Sequence, residues 1–292
     1  MAERLESSIS CTRPECSDRQ TGRSRVTSLS AWMNWNASVG RVHKPLLNLA
    51  VAALVIAARL GAQAPVSDTS AHRLTLDATL LRPGEFVYET TLERDASSTT
   101  LGSRTITVLR ATYFSSPAWL LLETRVMDAL PTVDSLFVDS VGLRPMHWTS
   151  TLGQARLGIE FRGDTAYGAT SAPTGRRSIV TTLPRGTFVN AAMLEAALRL
   201  LPLNTAWEDS ASTLSVTLSG NAVVPTRLSV IGEDQIRVPA GTFDCWVVAV
   251  HADVSRGLYW VTKRDPMVVR SVLDVPSLGG AQLVSALTRF RW

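Results

Sequence analysis

The chain has 292 residues, of which 45% are hydrophobic and 18% charged, and its formal net charge is +4. This composition is that of a globular protein and excludes a low-complexity chain. Eight of the 29 Lys and Arg residues and four of the 25 Asp and Glu residues lie in residues 1–64, so residues 65–292 hold equal numbers of each. A neutral segment without a basic stripe argues against nucleic acid as a partner.

Residues 41–64 predict a secretory signal peptide. A basic entry precedes an apolar run over 46–58, and the small residues of Ala62-Gln63-Ala64 follow, in the order typical of export signals. The apolar run is about 13 residues long, whereas a helix needs about 20 to cross a bilayer. We therefore predict cleavage after Ala64 and export to the periplasm or the extracellular side of the cell envelope, with the protein peripheral to the membrane at most.

The segment before this signal is polar and has no apolar periodicity, and Met33 is the start that gives the signal an ordinary length. We expect three parts: an N-terminal extension plus signal peptide over 1–64, a flexible start over 65–82, and a single β-rich domain over 83–292. Cleavage leaves Cys245 as the domain's one thiol, so we predict no internal disulfide.

From Gly84 onward, apolar and polar residues alternate with period two, which is typical of half-buried strands. In one example, Arg104, Ile106 and Val108 share a face. The links contain Gly or Pro and are too short for parallel crossovers, so neighbouring strands should pair antiparallel. The predicted strands of this part are 86–93, 103–110, 119–127, 131–139, 143–151, 156–162 and 164–168.

The period changes once, between Asn190 and Leu201, where strong helix formers predict a helix. Asn190 is its predicted N-cap and Pro202 its stop, and Glu195 and Arg199 have the i,i+4 spacing of an ion pair. Nearly every other residue is apolar. A helix that is apolar almost all round is buried on most sides, so it requires a concave surface.

After the helix the alternation resumes and predicts seven further strands. They are 214–218, 226–231, 235–238, 243–254, 258–262, 268–273 and 283–290. We expect a mainly β, α+β fold: a curved antiparallel sheet of about a dozen strands, or unclosed β-barrel, with one apolar helix packed in its concavity.

Several strings in this domain resemble a known family. They are 238–246 (VPAGTFDCW), 257–261 (GLYWV), 266–270 (PMVVR), Asp139 with 143–145 (LRP), 161–164 (FRGD) and 201–203 (LPL). They resemble an uncharacterised family of exported bacterial β-proteins, over roughly 82–289. That family is grouped with the periplasmic lipoprotein-carrier superfamily, whose fold is an unclosed β-barrel holding helices against its concave face. The family tends to have Gly shortly after Leu-Pro-Leu, where this chain has Asn204-Thr205.

No catalytic pattern stands out. His147 is a single strand histidine, and His251 with Asp253 offers two ligands where zinc needs at least three. Cys245 shares a strand face with His251 but lies about 20 Å from it, too far for a thiolate pair. There is no Gly-x-Ser-x-Gly elbow and no phosphate-binding Gly loop. We predict no enzyme, no metal site and no cofactor.

The resemblance implies a pocket for lipid or another apolar small molecule between sheet and helix. Its candidate lining residues are Met193, Leu194, Ala197, Leu198, Leu201, Trp148, Trp246 and Trp260. Two alternatives stay open. One is a structural or protein-interaction module with a filled core. The other is an outer-membrane β-barrel, which the alternating pattern of the C-terminal strand supports. The sequence leaves the oligomeric state open.

Overall fold

The computed structural model describes residues 74–127, 130–217, 220–253 and 255–292. All of them belong to one compact unit. The predicted N-terminal extension, the signal peptide with its cleavage site, and residues 65–73 of the predicted flexible start lie outside the described residues.

The described chain forms fifteen strands, one α-helix and two short 3-10 turns. The strands are β1 (Gly84–Arg94), β2 (Ser97–Tyr113), β3 (Ser116–Met127), β4 (Leu130–Asp139), β5 (Pro145–Leu152), β6 (Ala155–Arg162), β7 (Thr165–Ala172), β8 (Gly175–Thr182), β9 (Thr187–Phe188), β10 (Glu208–Val216), β11 (Asn221–Val238), β12 (Gly241–Ala252), β13 (Ser255–Thr262), β14 (Val268–Val275) and β15 (Ala281–Arg291). The helix is α1 (Ala191–Leu198), and the turns are Ala78–Leu80 and Pro276–Leu278.

All fifteen strands form one sheet. Each strand from β1 to β8 pairs with the next, as do the strands from β9 to β15, and β1 pairs antiparallel with β15, which joins the two halves. Every pair is antiparallel except the two-residue parallel pair of β9 and β10. The sheet ends at β8 and at β9. The predicted class is confirmed: the fold is mainly β, with one helix and a large curved sheet that is not closed into a barrel.

Helix α1 begins where the sequence predicts and ends three residues earlier than predicted. The Asn190 side chain accepts a hydrogen bond from the Met193 backbone N–H at 2.9 Å, so the predicted N-cap is confirmed. After Leu198 the chain tightens, because the Leu200 N–H donates to the Ala197 carbonyl. Across the described ranges, no helix combines the length and hydropathy that a membrane span requires.

The end of the predicted flexible start is packed. Ala78 and Leu81 are buried in the core, and the Ala78 carbonyl accepts a hydrogen bond from Trp119 Nε1 at 3.0 Å. The Ala78 N–H donates to the Val141 carbonyl at 2.7 Å. The sequence predicts a flexible start here, but residues 74–82 are packed, because their few apolar side chains reach the sheet.

Strand β8 is absent from the predicted strands. Its first four residues are exposed, and its one buried side chain is Ile179. This strand is an edge of the sheet and buries little on either face, so it lacks the alternation on which the prediction depends.

Candidate functional site

Helix α1 packs on the concave face of the sheet, against β3 and β9. Five of its apolar side chains are buried: Ala192, Met193, Ala196, Ala197 and Leu198. The facing sheet contributes buried residues such as Val108, Leu121 and Leu136, which are cross-strand neighbours on β2, β3 and β4. The concave face and α1 thus share one apolar core.

Five charged side chains lie inside this core, and we call them the interior charge cluster. They are Arg104 of β2, Glu123 and Arg125 of β3, Asp134 of β4, and Glu195 of α1. Glu123 is fully buried, and Arg104, Asp134 and Glu195 are each at most 5% exposed. Buried charges are rare unless they are paired, so their mutual contacts decide what the cluster does.

The contacts form a continuous chain of ion pairs. Arg104 Nη2 donates to Glu195 Oε1, and Arg104 Nε lies 3.7 Å from Glu123 Oε1. Arg125 Nε donates to Glu123 Oε1 at 2.7 Å, and Arg125 Nη2 lies 3.8 Å from Asp134 Oδ2. The cluster therefore links α1 to three neighbouring strands through Arg104.

The three carboxyl groups differ in acidity. Burial opposes ionisation of Glu123, but Arg125 and Arg104 outweigh it, so the pKa of Glu123 lies below its usual range. Burial raises the pKa of Glu195 more than Arg104 lowers it, and it likewise raises the pKa of Asp134 against the pull of Arg125. Glu195 and Asp134 are therefore the members that take up protons first on acidification.

The predicted pair between Glu195 and Arg199 does not form, because Glu195 turns to Arg104. The Arg199 guanidinium donates to the carbonyls of Pro266 (3.2 Å) and Arg82 (3.1 Å). It also lies over the rings of Phe86 and Trp292, 4.8 and 5.0 Å from their centroids. Burial lowers the pKa of Arg199 to about 10. Glu195 within α1 and Arg199 just after its end thus anchor the helix to the rest of the fold.

Little space remains under α1. A cavity of about 10 Å³ lies between the helix and the sheet, which is about the size of one water molecule. Its lining includes Tyr88, Glu195, Ala196 and Arg199. The space found between α1 and the sheet can therefore hold no ligand larger than water in this structure.

All eight predicted lining residues belong to the common core or pack against it, and five of them lie on α1 or just after it. Met193, Ala197, Leu198, Leu201 and Trp148 are buried in the common core, and Leu194 packs half-buried against it.

The two remaining tryptophans, Trp246 and Trp260, point in opposite directions. Trp246 pairs with Val261, and Trp260 pairs with Val247, so they occupy opposite faces of the β12–β13 pair. Trp260 instead donates from Nε1 to Asp234 Oδ2 at 2.9 Å and lies under Arg270. Both side chains nevertheless pack half-buried against the common core.

The residues with reactive side chains lie apart from one another. Cys245 is fully buried, whereas His251 on the same strand is exposed. Burial, with the nearby Asp234 and Asp244 carboxylates, raises the pKa of the Cys245 thiol to about 12. Within the described parts of the chain, no group of three or more His, Cys, Asp and Glu side chains is arranged to hold a metal ion.

Sequence reasoning missed the interior charge cluster. The sequence does contain a sign of this cluster. Arg104 lies on the same strand face as the apolar residues Ile106 and Val108, and Glu123 lies on the same face as Leu121. A charged residue at a core-facing position of a strand needs a partner, and Glu195 is the one acidic residue in an otherwise apolar helix. What the sequence could not give is which of these residues meet.

Comparison with known proteins gives a family but no activity. The family model described as Protein of unknown function (DUF3108) matches residues 87–282. No curated protein matches the chain. The matched segment runs from β1 to β15 and so takes in both halves of the sheet, helix α1 and the interior charge cluster. The chain therefore belongs to the DUF3108 family of proteins of unknown function.

Proposed function

We propose that this protein is an exported, non-catalytic protein of the cell envelope that binds a lipid or another apolar ligand on the concave face of its sheet. The ligand takes the place of α1, which moves aside. The observation that carries the proposal is that α1 is eight residues long and mostly apolar, and that its polar anchors are few: the Arg104–Glu195 ion pair and the hydrogen bonds of Arg199 just after its end.

The position of the helix supports this role. Helix α1 follows β9 directly. Strand β9 is an edge of the sheet and is paired with β10 through two residues. Displacing α1 therefore breaks side-chain contacts and a very short strand pair, while the long antiparallel ladders stay intact. The face so uncovered includes the apolar side chains of Val108, Leu121 and Leu136, which suit an acyl chain, and beside them the strand residues of the interior charge cluster.

Export is supported by the signal pattern of residues 41–64, and ligand carriage by the resemblance to the lipoprotein-carrier superfamily. A second candidate function is a structural or protein-interaction module, and the filled interior favours it, because only about 10 Å³ remains under the helix. The two candidates differ in whether the core ever opens to a ligand.

The test begins with the full chain produced in a bacterial host and purified from each cell fraction. Intact-mass analysis should give Pro65 as the first residue, and lipid should be found in solvent extracts of the protein. Recovery in the cytoplasm with residues 41–64 retained would overturn export. Recovery in the detergent-insoluble outer membrane would favour an outer-membrane protein instead.

The helix is tested with paired variants. Arg104→Met leaves Glu195 buried without its cation, which weakens the closed state, so lipid retention should rise. The double variant Arg104→Met/Glu195→Leu restores an apolar, closed contact and should lower retention again. Arg110→Met, an exposed arginine of the same strand, is the control. Absence of lipid from the wild type and from all variants would leave the filled-core module as the function.

A further inference from the structure

A large groove lies on the outer face of β5 to β8, on the side of the sheet away from α1. Its volume is about 630 Å³, against about 10 Å³ under the helix. The two faces are distinct by register: Trp148, Ile159 and Ile179 point into the core, and the residues next to them in the chain point outward. We call this concavity the outer groove.

The floor of the outer groove is made by residues with small side chains. Gly158 of β6 pairs with Ala169 of β7, and both face outward. A Cβ atom added to Gly158 would meet nothing within 4 Å, so the space above this glycine is open. The groove can therefore be filled from within by one substitution that does not disturb the sheet.

One end of the outer groove is strongly basic. Arg156, Ser171 and Arg176 are direct cross-strand neighbours on β6, β7 and β8, so two guanidinium groups flank one hydroxyl. Arg156 Nη1 donates to the carbonyls of Gly153 (2.6 Å) and Ala155 (3.0 Å), which hold it in place. Neither arginine forms an ion pair with a described residue.

The other end carries rings. His147, Glu160 and Tyr167 are cross-strand neighbours, and Glu160 lies four residues from Arg156 along β6. Arg162 lies 5.9 Å from the Tyr167 ring centroid. The distance between the two ends is about 13 Å, since each strand residue rises about 3.3 Å.

The one carboxylate of the lining is already engaged. Glu160 accepts hydrogen bonds from Tyr113 Oη at 3.0 and 3.1 Å, and its Oε1 lies 2.7 Å from His147 Nδ1. Tyr113 in turn stacks on the His147 ring, with centroids 5.6 Å apart. The positive charge of Arg156, Arg162 and Arg176 is therefore left for a partner from solution.

We propose that the outer groove binds a ligand that carries a phosphate group and a flat ring. The phosphate sits between Arg156 and Arg176 and accepts from Ser171, because the planar guanidinium fork matches phosphate oxygens two at a time. The ring lies over the Gly158–Ala169 floor and against Tyr167, where stacking and the cation of Arg162 stabilise it. This site is independent of the concave face and of what α1 covers.

The test is titration calorimetry on the purified protein, with phenyl phosphate and inorganic phosphate as probes. Phenyl phosphate should bind more tightly, because its ring adds a contact with the Gly158–Ala169 floor. Arg176→Ala should weaken binding about ten-fold or more, and Gly158→Leu should abolish it by filling the groove. The matched controls are Arg237→Ala, an exposed arginine of β11, and Gly232→Leu, where an added Cβ also meets nothing within 4 Å.

A second arm separates a soluble ligand from a lipid headgroup. Phosphatidylglycerol vesicles are sedimented with the protein, and phosphatidylcholine vesicles are the comparison. Vesicle binding that Arg176→Ala and Gly158→Leu both remove identifies the phosphate as a headgroup, and binding of phenyl phosphate without vesicle binding identifies a soluble ligand. The proposal is overturned if no probe binds, or if Gly158→Leu binds as the wild type does.

Discussion

Arg104 of β2 donates to the carboxylate of Glu195, although the two residues lie 91 positions apart in the chain. The guanidinium also faces Glu123 at 3.7 Å and lies 4.7 Å from the centroid of the Tyr88 ring. Burial disfavours the charged guanidinium, but Glu195 and Glu123 outweigh it and raise the pKa of Arg104 above its usual range. Together with Arg199 after the end of the helix, this pair anchors α1 on the sheet.

Removing the Arg104 guanidinium should destabilise the folded protein. We expect Arg104→Met to lower the free energy of unfolding by about 3–5 kcal/mol, because it leaves Glu195 and Glu123 buried without their shared partner. The double variant Arg104→Met/Glu195→Leu should recover much of the loss, since it removes an unpaired charge. Urea denaturation followed by circular dichroism measures both. Equal destabilisation of the single and double variants would show that the pair does not hold the helix.

The raised pKa of Glu195 predicts a pH dependence of stability. Its ordinary value is 4.5, so between about pH 4.5 and the higher folded-state pKa the folded protein holds a proton that the unfolded chain has released. The contribution of Glu195 to the free energy of unfolding must therefore increase as pH falls through this window. Glu123, whose pKa is lowered, acts in the opposite sense and below pH 4.5.

Glu195→Gln isolates this effect. We expect the free energy of unfolding of the wild type, minus that of Glu195→Gln, to rise as the pH is lowered from 7 toward 5. Glu208→Gln, the same substitution at an exposed position of β10, is the control. A Glu195→Gln difference that is flat, or that falls on acidification, contradicts the raised pKa.

The fold was predictable from the sequence in its main features, because period two and period 3.6 report which side chains face the core. Asn190 as the helix cap and the single mid-chain helix follow from local chemistry, and the structure has both. The edge strand β8 and the buried start near Ala78 were not predictable in this way. Strand β8 buries little and so lacks the alternation, and the position of Ala78 depends on contacts with Val141 and Trp119, which lie far away in the chain.

The candidate sites were likewise predictable only in part from the sequence. That Arg104 and Glu123 face the core can be derived from their alternation with Ile106 and Leu121, but their meeting with Glu195 depends on how the sheet curves around α1. The outer groove depends on cross-strand register, which places Arg156, Ser171 and Arg176 in one row. Register follows from turn lengths and bulges along the whole sheet, so no short sequence window contains it.

Leu198 distinguishes a core position from a pocket mouth. Its side chain is fully buried in the common core, so Leu198→Ala should lower the free energy of unfolding by about 2–5 kcal/mol, and Leu198→Asp should prevent folding. Leu194→Ala, at a half-buried position of the same helix, should cost clearly less. Denaturation curves of the three variants test this order, and a folded, stable Leu198→Asp protein would contradict it.

The turn between β2 and β3 stores backbone strain. Phe114 and Ser115 both have positive φ, at 42° and 66°, a conformation that favours Asn and Gly in two-residue hairpin turns. Phe114 is 84% exposed, so the core gains little from it. We expect Ser115→Gly to raise the free energy of unfolding by up to about 1 kcal/mol. Ser116→Gly, at the start of β3, should lower it, because glycine weakens a strand; a destabilised Ser115→Gly protein would argue against the strain.

Cys245 should be inert to thiol reagents in the folded protein. Its side chain is fully buried, and burial together with Asp234 and Asp244 raises its pKa to about 12, so almost no thiolate forms at neutral pH. The thiolate is the reactive species, and therefore iodoacetamide should label Cys245 only after the protein is unfolded in urea. Peptide mapping by mass spectrometry locates the label. Val180→Cys, at an exposed position of β8, should react readily in the folded protein, and equally fast labelling of Cys245 would mean that β12 opens to solvent in the native state.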